Sequence, residues 1–326
     1  MRFLSKLNNT KTPFWIILAF PFIAIATLLV GDPYISHILI IGGIYGFLAI
    51  GLNIITGLCG QINLGMAGFY AIGSYSSALL TTKLGLNFWF AFIIAILFAG
   101  VAGLVIGYPA LKVRGGVYLV LVTTSFASII QTILTQWVKL TNGPMGVVGI
   151  GAPSIFGIKI VSLNQWIFFV AFLLLIAMIL AMRIENSRVG RSLKAVRESD
   201  TSAQSLGVNI SFYKIQAFIM SAAFGGAGGS LYAHYMTTIS PDIYNMNLSV
   251  LALTMIVVGG VGSIPGSVLG ALIIAILPEL FRFMGIWQMA VYSLLIVLFT
   301  IFLPRGLIGG GIDSFLFFKT KLLGRE

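Results

Sequence analysis

Residues 36–56 read SHILIIGGIYGFLAIGLNIIT. One histidine and one asparagine interrupt a run that holds no Asp, Glu, Lys or Arg. About 20 mostly apolar residues suffice to cross the ~30 Å hydrocarbon core of a bilayer as a helix, so this stretch reads as a membrane span. The same pattern recurs on both sides of it. Ten candidate spans follow: 14–30, 36–56, 62–81, 88–107, 117–138, 165–182, 212–236, 247–261, 266–281 and 286–303. The eighth is short and reads as a candidate broken or re-entrant helix, which is allowed only where protein buries it or it lines a cavity. The first resembles a cleaved signal peptide, with a basic start and Ala24-Ile25-Ala26, but its apolar run continues to Val30, so it reads as an uncleaved helix.

The composition agrees. Of 326 residues, 59% are hydrophobic and 8% charged, against about 25% charged in a soluble domain. That balance excludes a cytosolic enzyme, a disordered regulator and a secreted disulfide scaffold. Glycine is abundant at 38 residues, as expected where membrane helices pack through small residues. The net charge of +11 is that of loops facing anionic lipid rather than of a nucleic-acid binder, because the charges fall between long apolar runs.

Basic residues concentrate in cytoplasmic loops. With both termini cytoplasmic, ten spans place 15 Lys and Arg inside, and leave Lys83, Lys139, Lys159 and Arg282 as the 4 outside. The expected architecture is therefore an all-α polytopic membrane protein of about ten transmembrane helices. The whole chain, 1–326, forms one transmembrane domain with a cytoplasmic loop at about 183–211.

Little in the chain carries reaction chemistry. There is no Walker A loop and no His-Glu-x-x-His pair. No span holds two carboxylates, so no catalytic residue is assigned. One cysteine, Cys59, excludes a multi-cysteine metal site. His37 and His234 read as packing residues rather than metal ligands. Proton coupling needs buried ionisable groups, and their scarcity points to energy supplied from elsewhere.

Residues 183–209, RIENSRVGRSLKAVRESDTSAQSLGVN, are the most informative loop. Val189, Leu193 and Val196 recur at helical spacing and give one apolar face, with Arg191, Lys194 and Arg197 on the others. Ser199 or Asp200 can cap a second short helix, and Gly207 can end it. Two amphipathic helices on the cytoplasmic face serve equally as a lipid-held surface element or as a docking element for a partner. In the fifth span, Thr124, Ser128, Gln131 and Thr135 share one helix face. They are suited to interhelical hydrogen bonding or to the wall of a water-filled pathway. Pairs such as Gly42/Gly46, Gly103/Gly107, Gly225/Gly229 and Gly266/Gly270 allow close helix approach.

Two glycine-rich breaks, Gly57 to Ile62 and Gly259 to Ile264, both fit Gly-x-x-Gly-x-Ile. They are a candidate trace of internal duplication. Their unwound backbone can offer amides to a substrate carboxylate. Gly60, Gln61 and Asn63 of the first break, Gly262 of the second, and Thr124, Ser128 and Gln131 of the stripe make up a candidate translocation pathway.

Across roughly residues 40–305, the chain resembles the LivM-type permease subunits of branched-chain amino acid ABC importers. The resemblance rests on 51–73, GLNIITGLCGQINLGMAGFYAIG; 118–126, YLVLVTTSF; and 141–146, TNGPMG. It continues through 190–198, GRSLKAVRE; 203–208, AQSLGV; 213–224, YKIQAFIMSAAF; and 259–270, GGVGSIPGSVLG, with LPE at 277–279. The resemblance implies that the 183–211 loop couples to a cytoplasmic ATPase, through Gly190, Arg191, Leu193, Ala195, Arg197, Glu198, Ala203 and Gly207. It also implies a LivH-like permease partner, two ABC ATPase subunits that use ATP and magnesium, and a periplasmic or lipoprotein substrate-binding protein. No cofactor or metal is then expected on this chain, and the location is the bacterial inner membrane. One departure is that Ser128 and Gln131 stand where relatives carry Glu and Arg. A neutral stripe suits a zwitterion with an aliphatic side chain. Urea or another small polar solute, and a stand-alone channel or secondary transporter, are the alternatives.

Overall fold

A computed structural model describes residues 33–112, 116–155 and 158–281, with isolated residues at 285, 287, 293, 294, 297, 306 and 307. The expected first span, 14–30, and nearly all of the tenth, 286–303, lie outside the described residues.

The described chain is all-α, with short two-residue strands in its connections. Helix α1 (Pro33–Leu52) runs on as a π-helical segment, Asn53–Leu58. Then come α2 (Met66–Thr82), α3 (Phe88–Lys112), α4 (Gly116–Gln136) and the single turn α5 (Val138–Thr141). After an outer loop follow α6 (Leu163–Asn186), α7 (Arg188–Glu198), α8 (Asp200–Ser205) and α9 (Ile210–Met236). The bent pair α10 (Met246–Gly259) and α11 (Ile264–Leu280) completes the described bundle. In the connections, β1 (Val147–Val148) pairs antiparallel with β4 (Thr238–Ile239), and β2 (Ser154–Ile155) with β3 (Ile158–Lys159).

Among the described residues, four helical segments are long and apolar enough to cross a membrane: Pro33–Leu58, Phe88–Leu111, Gly116–Gln136 and Leu163–Asn186. Helix α9 has 27 residues but is built largely of Gly, Ala and Ser where it passes through the centre. It packs against α1, α2 and α3, so protein rather than lipid surrounds it and long apolar side chains have no room. The eighth expected span is the short, broken element anticipated, and it is bent against the ninth. Helix α10 has 14 residues, about 21 Å of helix, shorter than a ~30 Å core. It turns by 118° into α11. Glycines allow that turn: Gly260 and Gly262 have φ of 119° and 93°, where a side chain would be strained.

Close backbone approach holds the centre together. A side-chain carbon at Gly73 would overlap Gly226, and one at Gly229 would overlap the Tyr70 carbonyl. On the other face of α9, one at Gly103 would lie 2.7 Å from Ala222 Cβ. At the far end of the bundle from α7, Ser230 Oγ donates to Ser77 Oγ at 2.7 Å, Ser77 Oγ meets His234 Nε2 at 2.9 Å, and His234 Nδ1 meets the Gly151 carbonyl at 2.7 Å. His37 Nδ1 meets the Tyr235 hydroxyl at 2.6 Å. Both histidines thus hold the fold together.

Adding a methyl group at Gly226 forces it into Ala99 Cβ, whereas at Gly100 the nearest such neighbour is Ile219 Cγ2 at 3.8 Å. Overpacking costs about 1–3 kcal/mol, so Gly226→Ala is expected to lower the thermal midpoint in detergent by several degrees. Gly100→Ala leaves it unchanged or raises it, and size-exclusion recovery after heating reads the difference.

Candidate functional site

The loop after α6 is divided by its own side chains. Ser187 caps α7 by accepting from the Gly190 amide at 3.3 Å, and Ser199 caps α8 by accepting from Ser202 at 3.3 Å. Asn209 caps α9 by accepting from Phe212 at 3.1 Å. Each cap satisfies amides that a helix start leaves open. Gly207 closes α8 with φ of 79°. The apolar face is as expected: Leu193 and Val196 are buried, with Val189 half-buried. Gly190 is buried at the α6–α7 junction, where any side chain would overlap the Ile184 and Glu185 carbonyls. Ala203 is buried, Ala195 half-buried, and Arg191 and Glu198 are exposed.

Helix α7 lies against the π-helical end of α1 and against α9. There the two glycine breaks, far apart in sequence, come together. The Asn53 side chain, fully buried, bridges them: its Nδ2 donates to the Ser263 carbonyl at 2.7 Å, and its Oδ1 accepts from the Gly262 amide at 2.8 Å. Arg197 closes the arrangement from α7, with Nη1 donating to the Gly57 carbonyl. Its stem lies over the first break, so that a side-chain carbon at Gly60 would come 2.9 Å from Arg197 Cγ, and one at Gly262 would come 3.1 Å from Nη1. Gly57 has no room either, since a carbon there would overlap Asn53 Oδ1 and come 2.7 Å from the Gly262 amide.

The expected roles shift accordingly. The Gly262 amide is taken by Asn53 and does not face outward for a carboxylate. Arg191 and Arg197 are both exposed, but Arg197 reaches the Gly57 carbonyl of the break, whereas Arg191 Nη1 donates to the Asn186 carbonyl at 3.1 Å. Gly60 and Gln61 line a cavity of about 1000 Å³ together with Asp200, Gln204, Gly207 and Lys214. Residues expected for coupling and for the pathway thus share one wall. Asp200 and Lys214 pair there at 2.6 Å. Asn63 is buried, with Oδ1 accepting from the Gly65 amide at 2.7 Å and Nδ2 without a partner among the described residues.

The polar stripe of α4 divides. The Thr124 hydroxyl is buried without a partner among the described residues, Gln131 and Thr135 are half-buried, and Ser128 is exposed on the outer face of the chain. The hydroxyl that reaches the first break is Thr123, which accepts from the Leu64 amide at 3.1 Å. Asn53, Ser263 and Thr123 were all missed in sequence. A lone Asn inside an apolar span was the one signal available, since a polar side chain at that depth needs a partner.

Helices crossing a membrane, a central glycine-lined crossing and an amphipathic helix seated on two broken helices describe a polytopic permease. The family model described as "Branched-chain amino acid transport system / permease component" matches residues 34–303, and the chain belongs to this family. It is 35% identical to the high-affinity branched-chain amino acid transport system permease protein LivM of Escherichia coli K12, over 81% of this chain and 68% of that protein. It is also 29% identical to the permease protein LivH of Salmonella typhimurium, over 82% of this chain and 92% of that protein. A probable LivM of Methanocaldococcus jannaschii is 24% identical, covering 84% and 93%. No solved structure matches.

The single cysteine gives a probe of the break. Burial pushes the Cys59 thiol up to about 12, so it stays protonated and unreactive at neutral pH. Maleimide labelling of the native chain at pH 7.5 is expected to be slow. Arg197→Ala, which uncovers the break, should speed it severalfold, as read by mass shift over time.

Proposed function

We propose that this chain is one of two permease subunits of an ATP-driven importer that carries branched-chain aliphatic amino acids into the cytoplasm. Its partners are a LivH-like permease, two cytoplasmic ABC ATPases and a periplasmic or lipoprotein binding protein. The chain itself catalyses nothing and holds no cofactor, since ATP and magnesium act in the ATPases. It spans the inner membrane about ten times, counting residues 14–30 and 286–303 as the first and tenth spans and the short, bent α10 as the eighth, with both termini cytoplasmic.

The observation that carries this reading is the contact of Arg197 with the Gly57 carbonyl beside the Asn53 bridge. An ATPase moving α7 through Arg191, Glu198 and the α8 turn at Gly207 would pull on both broken helices at once. Similarity to both LivM and LivH proteins supports a pair of related permeases. Substrate then passes between the two chains. Ser128 and Gln131 on the outer face of α4 supply neutral dipoles there, which a zwitterion needs more than a fixed charge. A polar stripe is costly against lipid, which also favours a partner chain on this face.

Purification from the native host in mild detergent, with each subunit identified by mass, is expected to recover a second permease and an ATPase pair. Arg191→Glu, on the exposed side of α7, should lower the recovered ATPase about tenfold, as expected for like charges brought together. Recovery of the chain alone, under conditions that preserve other ABC complexes, would instead favour a channel or secondary transporter.

A further inference from the structure

Helices α3 and α6 both pack on the central helices, α3 against α9 and α6 against α1. At one end they close on one another, where Phe88 and Trp89 of α3 each lie 5.9 Å from the ring of Phe169 on α6. Away from this aromatic closure the two helices part. The gap is an apolar groove of about 550 Å³, floored by small residues including Ala177, Ala223 and Ala227. Arg183 and Ser187 are the only polar residues lining it, and both sit at the end next to α7.

Its rims face outward and are apolar: Leu97 and Val101 on α3, and Phe172 and Leu180 on α6, are all exposed. Leu173 and Arg183 are both in the lining and ten residues apart, about 15 Å along the helix. That is half of a ~30 Å hydrocarbon core, so the apolar part of the groove is one leaflet deep. A partner's spanning helix would need the full depth, which the aromatic closure denies. A lipid chain entering from the α7 side needs only one leaflet.

The open end is basic. Arg188 and Arg191 are exposed near Arg183, and the neighbouring carboxylate, Glu185, is held by Lys194 at 2.8 Å. Basic pockets between membrane helices bind anionic headgroups.

We propose that this groove is a binding site for an anionic phospholipid. One acyl chain lies between α3 and α6 over Ala223, and the phosphate sits against Arg183. The leaflet is the one bordering α7, cytoplasmic in the orientation proposed above. The lipid therefore sits at the root of the helix that carries Arg197, where its loss would loosen the α6–α7 junction.

The test uses the chain purified with its partner subunits and reconstituted with phosphatidylglycerol carrying a photoactivatable acyl group. Adducts should concentrate on α3 and α6 groove residues such as Ile96, Leu173 and Leu180. Ala223→Phe, which fills the groove, should reduce them about tenfold. Arg183→Gln should reduce the preference for phosphatidylglycerol over phosphatidylcholine severalfold, with an unchanged size-exclusion profile checking that the fold is kept. Adducts spread evenly over all lipid-facing helices and unchanged by either substitution would overturn the proposal, as would cross-links from these residues to the partner permease. Both results are independent of which solute is transported.

Discussion

The structure depends on how Asn53 satisfies two broken helices at once. Backbone that leaves its helix inside a membrane protein finds no water, and each unpaired amide or carbonyl there costs several kcal/mol. At Gly262 and Ser263 the α10–α11 corner exposes one amide and one carbonyl, and the Asn53 side chain takes both. The same residue opens the π-helical turn that loosens the end of α1. One buried amide group therefore makes both interruptions affordable and fixes them to each other. The glycines follow from this: Gly57 leaves room for Asn53, and Gly260 and Gly262 take the positive φ the corner needs.

From that joint the arrangement spreads outward in layers. Arg197 adds a third contact from outside the membrane bundle, so α7 cannot shift without disturbing the Gly57 carbonyl. Below, Thr123 of α4 holds the exit of the first break, and Ser249 of α10 accepts from the Ala67 amide at the start of α2. Helix α9, packed glycine to glycine against α2, gives the joint a rigid backing. An amphipathic helix at one end of the bundle, two glycine breaks beneath it and an exposed Ser128 on α4 are parts that the proposed transporter, driven from outside the membrane, requires.

Local chemistry was legible in the sequence, and long-range pairing was not. The spans of α1, α3, α4 and α6 follow from runs of apolar residues. The division of residues 183–211 into two helices followed from the apolar spacing, a serine cap and Gly207, all of which act within a few residues. The shared Gly-x-x-Gly-x-Ile pattern pointed to both breaks, but nothing in it showed that they touch. The Asn53 contact to Gly262 joins positions 209 residues apart. Thr123 and Thr124 are adjacent and chemically alike, so which one reaches the break depended on the rotation of α4 rather than on composition. Arg197 read as one of several surface cations because helical spacing cannot show that a neighbouring carbonyl waits beneath it. The corner between α10 and α11 was visible only as a short span, its 118° turn being set by packing against α1.

The most direct measurement is uptake per ATP hydrolysed by the assembled transporter in liposomes, with the native chain compared with Arg197→Ala. A charged hydrogen bond contributes about 1.5–3 kcal/mol, so loss of the link should lower the ratio by tenfold or more. All subunits should still co-purify, and hydrolysis should continue. An unchanged ratio in a fully assembled complex would contradict the claim that α7 drives the two breaks through this residue.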